Sequence, residues 1–187
     1  IVKAAHKEVS ADALCDDFSK SCDNDSIQVM TGEEAIVNVT RMKEGYCWGY
    51  LISRKLIIDN NLKFPPNVAY MEDWAFISQV ILKSKTFVNT NVLFYLYRRN
   101  TSSCMANMSI EKLLQACRSI EIVAKAVIHT DGAVMRKLSE DVCGNINIIL
   151  WYTSHYRCIY RDRKEIARAL VQLLKLVNPQ YIPNSLK

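Results

Sequence analysis

The sequence has few of the residues that interrupt regular structure, with only five glycines and four prolines among 187 residues. This scarcity argues against an all-β fold rich in turns. No uninterrupted apolar run approaches the roughly 20 residues that a membrane-spanning helix needs. The chain starts with Ile instead of Met, and no signal-peptide pattern follows, so we expect its start to be a boundary within a longer protein.

Motifs for metals, disulfides and phosphate loops are also missing. The sequence has no CxxC pair, no close cluster of cysteine and histidine, and no glycine-rich phosphate loop. An odd number of scattered cysteines is typical of reduced thiols in a cytosolic protein, and a zinc site is not expected. The seven cysteines are at positions 15, 22, 47, 104, 117, 143 and 158, and the three histidines at 6, 129 and 155.

The composition is that of a globular protein with a substantial core. Half of the residues are hydrophobic and 23% are charged, which excludes the low hydrophobicity of a disordered chain. The net charge of +5 suits contact with phosphates or an anionic membrane face. It is too small to predict nucleic-acid binding, and no nucleic-acid partner is expected.

Local patterns predict a mostly helical α/β fold. Thr31 followed by Glu33 and Glu34 is typical of a capped helix start. A short strand should open residues 1–26, and residues 86–99 should form one strand or two, broken at 89–91. Helical spacing predicts further helices over residues 53–60, 72–83, 109–129, 133–158 and 162–176, with Ser53 as a candidate cap for the first of these.

An acidic pair, Glu72-Asp73, opens the predicted helix over 72–83. Helical geometry places Asp73 at the N-terminal end of a stripe of apolar residues, namely Phe76, Ile77, Val80 and Ile81. A carboxylate in this position points into the fold or into a cleft at its edge. From the residues alone, it is either a helix cap or a general base, and capping is the commoner role.

The ordered parts from Glu44 to Met105 resemble the second half of the catalytic domain of family 2 glycosyltransferases. These parts are Trp48-Gly49, the Pro65-Pro66 turn, Glu72-Asp73, and an aromatic strand, residues 93–99, that leads into a Ser/Thr loop. The resemblance implies a partial GT-A-type domain over residues 1–106, with few strands, and a C-terminal helical bundle over 107–187. It also implies inverting sugar transfer from a nucleotide sugar to a saccharide or lipid-linked acceptor, in bacterial capsule, exopolysaccharide or lipopolysaccharide assembly.

The same resemblance implies roles for particular residues. Asp73 would be the catalytic base and Glu72 its supporting residue. Trp48 and Gly49 would line the sugar pocket, with the alternative that Trp48 is only a core aromatic. The resemblance also implies a pyrophosphate-binding role for the strand end and the loop after it, with a solvated strand end as the alternative. The residues concerned are Arg98, Arg99 and Ser102.

A divalent metal, Mg²⁺ or Mn²⁺, is expected in the parent enzyme, but no metal site is predicted in this chain. Asp23 and Asp25 spell Asp-x-Asp, yet they follow a polar segment and not an apolar strand, so we interpret them as a turn. Asp16-Asp17 is discounted for the same reason. Because most donor contacts of the family precede residue 1, this chain alone is expected to be inactive.

Two further possibilities stay open. The chain could instead be a non-catalytic helical binding or regulatory module, in which Glu72-Asp73 is only a cap. The basic and aromatic segment over residues 151–161 could pack on the core, rest on a membrane surface or stack on single-stranded nucleic acid. We expect a cytoplasmic protein, with peripheral attachment to the inner membrane and homodimerisation as alternatives.

Overall fold

The computed structural model describes residues 1–9, 26–40, 45–98, 108–130, 132–155 and 160–186. These residues form a mixed α/β structure with four strands and six α-helices. The strands are β1 (Val2–Val9), β2 (Ile27–Met30), β3 (Tyr50–Leu51) and β4 (Phe87–Arg98). The helices are α1 (Gly32–Asn38), α2 (Arg54–Asp59), α3 (Glu72–Leu82), α4 (Ile110–Val127), α5 (Gly132–His155) and α6 (Tyr160–Leu174).

The four strands form one mixed sheet in the order β2-β4-β1-β3. β1 and β4 lie parallel at the centre, and β2 and β3 add antiparallel edges. The predicted short strand at the start of the chain is therefore eight residues long and central. The predicted break at 89–91 appears as register shifts within one continuous strand, because β4 uses more residues than β1 between Lys3 and His6.

The two faces of the sheet are in different environments. Phe87 and Tyr50 are buried on one face, where their rings meet edge to face with centroids 6.4 Å apart. The other face carries an apolar row, because Val29 pairs with Val88, Val88 with Val2, and Val2 with Leu51. Val29 is 67% exposed and Leu51 50% exposed, so this row lies open at both edges.

Local capping explains where several helices begin. Thr31 accepts the backbone N–H of Glu34, and the Glu34 carboxylate accepts the N–H of Thr31, which is the reciprocal capping box that the sequence predicts. Ser109 caps α4 through the backbone N–H of Lys112. Ser53 occupies the cap position of α2 as predicted, but its side chain makes no capping hydrogen bond.

The apolar stripe predicted after Asp73 is confirmed, because Phe76, Ile77, Val80 and Ile81 of α3 are all buried. α3 packs on α1 and α4, and α4 packs on α5 and α6. One cluster of buried side chains extends from Ala35 to Val177, across the boundary that the sequence predicts near residue 106. In the described part of the chain, no helix combines the length and apolarity needed to cross a membrane.

A buried ion pair lies within the helical layer. Lys137 donates to the carboxylate of Asp141 at 2.5 Å, one helical turn away on α5. Burial raises the pKa of the Asp141 carboxyl above its usual value, and the Lys137 ammonium opposes part of that rise. Because Asp141 is buried and Lys137 is partly buried, this pair is less screened by solvent than the exposed ion pairs of α2, α4 and α5.

Candidate functional site

The start of α3 has an unusual backbone. Met71, immediately before the helix, has φ 62° and ψ 16°, in the left-handed region. Non-glycine residues are uncommon in this region, and asparagine is among those enriched there, as at Asn61 and Asn67 of this chain. A strained residue beside an acidic pair is typical of a site whose surroundings fix its geometry.

Asp73 caps a different element from the one it belongs to. Its carboxylate accepts the backbone N–H of Cys47 at 3.3 Å, while the start of α3 itself has no side-chain cap. Cys47 begins the short 3-10 helix Cys47–Gly49, whose first N–H groups have no partner within that turn. Asp73 thereby joins α3 to the Trp48-Gly49 segment, which the sequence alone does not predict.

The same contact changes the chemistry of Cys47. Burial, together with a hydrogen bond and the negative charge of Asp73, raises the pKa of the Cys47 thiol to about 11. The Glu72 carboxylate adds a smaller contribution in the same direction. Cys47 is therefore a neutral thiol at physiological pH and is poorly suited to act as a nucleophile.

The two carboxylates of the acidic pair differ in their hydrogen-bond partners. The bond to Cys47 engages one oxygen of Asp73, Oδ2. The Cys47 thiol also hydrogen-bonds to the Asp73 carboxylate, whereas the Glu72 carboxylate has no hydrogen-bond or ion-pair partner among the described residues. Both side chains are half-buried at the edge of the fold. Half-buried carboxylates can accept protons or hydrogen bonds from the hydroxyl groups of a bound molecule.

Trp48 lies in an aromatic stack that joins the 3-10 helix to the sheet. Its ring is stacked on Tyr46 at 3.9 Å, on Tyr95 at 4.6 Å and on Tyr97 at 5.1 Å between centroids. The Tyr46 ring and the two β4 rings must lie on opposite faces of the indole, since parallel rings this close would collide on one face. His6 of β1 approaches edge-on at 4.8 Å and hydrogen-bonds with the Tyr46 hydroxyl.

This packing bears on the role expected for Trp48. Both indole faces are covered by tyrosines, so a sugar ring can stack on Trp48 only if one tyrosine moves away. The sugar-stacking role of Trp48 stays a prediction. The ring contacts of Trp48 agree with the alternative, in which it is a packed core aromatic. The sequence signal for this stack was the pair Tyr95 and Tyr97, which the two-residue period of a strand places on one face.

Two glycines allow the close packing around these rings. A Cβ atom on Gly49 would lie 2.8 Å from Cε2 of Tyr46. A Cβ atom on Gly45 would lie 2.6 to 2.9 Å from atoms of Trp74, including its backbone Cα. Gly49 therefore permits close approach of another group, as the sequence predicts. In this structure the group that approaches it is the ring of Tyr46, not a sugar.

Arg98 is not on the same side of the sheet as Trp48. Tyr95 and Tyr97 both face Trp48, and the pairing of β1 with β4 is regular from Tyr95 to Arg98. Side chains alternate along a strand, so Arg98 points to the opposite face of β4. Arg99 and Ser102 lie outside the described residues. The structure thus brings Asp73, Trp48 and Gly49 together but does not bring Arg98 to them.

Comparisons with protein-family models, with curated proteins and with solved structures find no match to this chain.

The cavity lined by α4, α6 and the turn after α6 lies away from the acidic pair. It has a volume of about 540 Å³, and its lining includes Cys117, Arg118, Glu121 and Glu165. A much smaller cavity, of about 20 Å³, is lined by residues that include Trp74 and Asp141. Neither cavity has Glu72 or Asp73 in its lining.

Metal ligation finds no support in the described residues. No group of three or more histidine, cysteine, aspartate and glutamate side chains is arranged there to hold an ion. The acidic pairs Asp16-Asp17 and Asp23-x-Asp25 lie outside the described residues. The divalent metal expected in the parent enzyme therefore stays an expectation, since the sequence predicts no metal site in this chain.

Proposed function

We propose that this chain forms the acceptor side of an inverting, nucleotide-sugar-dependent glycosyltransferase with a partial GT-A-type fold. Asp73 is the general base, Glu72 orients the acceptor, and the Trp48-Gly49 segment lines the site. The observation that carries this proposal is the bond from Asp73 to the N–H of Cys47. This bond joins Asp73 to the segment that carries Trp48 and Gly49, which supports the assignment of these residues to one site.

The geometry of Asp73 suits a general base. The N–H of Cys47 holds Oδ2 of Asp73, which fixes the orientation of the carboxylate. In the proposed reaction the Asp73 carboxylate takes the proton from an acceptor hydroxyl. The hydroxyl oxygen then attacks the anomeric carbon, the bond to the nucleoside diphosphate breaks, and the anomeric centre inverts.

The test uses the protein encoded by the complete gene. We would measure hydrolysis of a panel of nucleotide sugars with Mn²⁺, and sugar transfer to saccharide or lipid-linked acceptors. Asp73→Asn keeps an oxygen that can accept the Cys47 N–H, but it removes the base. We expect turnover to fall by about 10²–10⁴-fold. Glu72→Gln should have a smaller effect.

The matched control is Asp59→Asn, at the exposed end of α2, where Asp59 pairs with Lys55 at 2.8 Å. Turnover of this variant should equal that of the wild type. Turnover that survives Asp73→Asn would reduce Asp73 to a cap for Cys47. No turnover of any nucleotide sugar by the complete protein would remove the enzyme interpretation.

A non-catalytic binding module is the second candidate, and one observation favours it. The cavity between α4 and α6 is lined by apolar side chains together with Arg118, Glu121 and Glu165, which is a common composition for a ligand site. Under this alternative the acidic pair is structural. A ligand whose binding is abolished by Ala169→Trp, but not by Asp73→Asn, would support the module.

A further inference from the structure

The C-terminal half of α5 exposes apolar side chains to solvent. Trp151 is 55% exposed, Leu150 42% and Ile148 38%. Ile148, Trp151 and His155 lie along one helical stripe, at positions i, i+3 and i+7. The His155 ring is stacked on Trp151 with centroids 4.4 Å apart, and its Nδ1 atom lies 2.8 Å from the Trp151 carbonyl oxygen. We call these four residues the Trp151 surface.

This exposure bears on the three possibilities that the sequence leaves open for residues 151–161, namely packing on the core, contact with a membrane and stacking on single-stranded nucleic acid. Tyr152 and Thr153 are half-buried, but Trp151 and Leu150 point outward. Trp74, for comparison, is only 7% exposed. Since burial of the outward side chains would be favourable, the Trp151 surface is suited to contact with an apolar phase.

A basic stripe begins the next helix. Arg161, Lys164 and Arg168 are exposed on α6 at positions i, i+3 and i+7. Residues 161–168 also contain Arg163, against Asp162 and Glu165, so cations outnumber anions by four to two. Positive charge on an exposed helix face beside apolar side chains is typical of segments that lie on anionic bilayers.

The two features lie at the same end of the helical layer. Four residues separate His155 from Tyr160, so the end of α5 and the start of α6 are no more than about 18 Å apart. α5 and α6 also contact each other directly. The helix end that carries the apolar patch is therefore within about 18 Å of the helix start that carries charges able to pair with lipid phosphates.

We propose that the Trp151 surface and the basic stripe of α6 together form a docking surface for an anionic lipid bilayer. Trp151 and Leu150 enter the interface between headgroups and acyl chains, where an indole ring is favourably placed. Arg161, Lys164 and Arg168 bind the phosphates of the lipids, which gives the attachment its dependence on anionic lipid. This proposal does not depend on the glycosyltransferase function.

Single-stranded nucleic acid fits these residues less well. Base stacking needs open aromatic faces, and one face of the Trp151 indole is covered by His155. The neighbouring exposed residues Ile148 and Leu150 are aliphatic and offer no ring for a second base. Aliphatic side chains beside an indole instead match the apolar boundary of a bilayer.

Tryptophan fluorescence is the most direct test, because Trp74 is buried and Trp48 is stacked within tyrosines. We would add vesicles of phosphatidylcholine, with or without phosphatidylglycerol, to the full chain. Vesicles with phosphatidylglycerol should shift the emission to the blue, protect it from acrylamide and carry the protein into the vesicle pellet. Trp151→Phe should abolish the spectral change while most of the pelleting remains.

Substitutions then separate the two parts of the surface. Trp151→Glu with Leu150→Ser, and separately Arg161→Glu with Lys164→Glu, should each weaken binding by about tenfold or more. The matched controls are Ile128→Glu, an exposed apolar residue after α4, and Lys83→Glu with Lys85→Glu, exposed after α3. These controls should bind like the wild type. Circular dichroism should show unchanged helix content in each variant.

Several results would overturn the proposal. Equal binding to vesicles without phosphatidylglycerol would remove the role of the basic stripe, and so would binding that is unaffected at 1 M salt, where charges are screened beyond about 3 Å. Absence of any vesicle binding would remove the membrane partner. Binding of a single-stranded oligonucleotide that Trp151→Glu abolishes, or dimerisation that it abolishes, would assign the surface to that partner instead.

Discussion

The carboxylate of Asp73 accepts the backbone N–H of Cys47 at 3.3 Å, across 26 residues of sequence. This one bond ties the start of α3 to the 3-10 helix that carries Trp48 and Gly49. It gives Asp73 a structural role that is compatible with the proposed base role, because a carboxylate can accept several hydrogen bonds at once. The two roles can be separated experimentally.

Replacing Asp73 should affect stability and catalysis differently. Asp73→Ala removes the acceptor for the Cys47 N–H, and we expect the free energy of unfolding to fall by about 0.5–2 kcal/mol. Asp73→Asn retains an acceptor and should lose much less. Denaturant unfolding of both variants, with Glu33→Ala as an exposed first-turn control, measures this difference. Equal losses for Asn and Ala would mean that the Cys47 bond does not stabilise the fold.

The reactivity of Cys47 provides a second check on the same contact. Its pKa is raised to about 11, so Cys47 should alkylate slowly with iodoacetamide at pH 8 to 9. Asp73→Asn removes a negative charge and should speed that alkylation, as measured by mass spectrometry of the Cys47 peptide. The alkylation rate of Cys143, in α5, should not change. An unchanged rate at Cys47 would argue against the contact with Asp73.

The raised pKa of Cys47 also gives a dependence of stability on pH. The unfolded thiol ionises near its ordinary pKa of 9.0, and the folded thiol near 11. The folded state therefore holds the proton more tightly, and the stabilisation that is complete below pH 9 is lost as the pH rises to 11. Comparing wild type with Cys47→Ser across this window isolates the effect, and a difference independent of pH would contradict it.

The left-handed backbone of Met71 predicts a specific sensitivity to side-chain shape. A β-branched residue is strongly disfavoured at positive φ, so Met71→Val should destabilise the fold by about 1–2 kcal/mol. Met135 is partly buried in α5 with helical geometry, and Met135→Val should cost less. Thermal unfolding of both variants tests this. A smaller loss at Met71 than at Met135 would contradict the strained geometry.

Asp141 should make stability depend on pH in the acidic range. Burial raises the pKa of its carboxyl in the folded state above the ordinary value of 3.8, so the folded state binds the proton more tightly than the unfolded state. The resulting stabilisation is therefore present below pH 3.8 and is lost as the pH rises through the folded pKa. The stability of wild type relative to Asp141→Asn should fall as the pH rises from about 3 towards neutral.

Urea unfolding of the two proteins at each pH measures this difference. Asp59→Asn is the control, because Asp59 lies on the exposed face of α2, pairs with Lys55 and does not contribute to the shift in the Asp141 pKa. A relative stability that rises with pH would show that attraction to Lys137 outweighs the cost of burial.

Local sequence determined most of the helical part of this protein. Contacts between residues three or four apart explain the helix starts at Thr31 and Ser109. The same spacing explains the buried stripe of α3 from Phe76 to Ile81. The six helices lie within a few residues of the predicted ranges, and the α/β class is as expected. Such contacts form between near neighbours along the chain, so composition and spacing are enough to predict them.

Tertiary structure decided the sheet and the site. The sequence does not show that β1 is central and parallel to β4, that Asp73 caps Cys47, that tyrosines cover both faces of Trp48, or that Arg98 faces away from it. Each of these depends on residues far apart in sequence, whose pairing is set by the packing of the whole fold. The sequence supplies the residue types of the candidate site, but only the folded structure determines which of these residues are in contact.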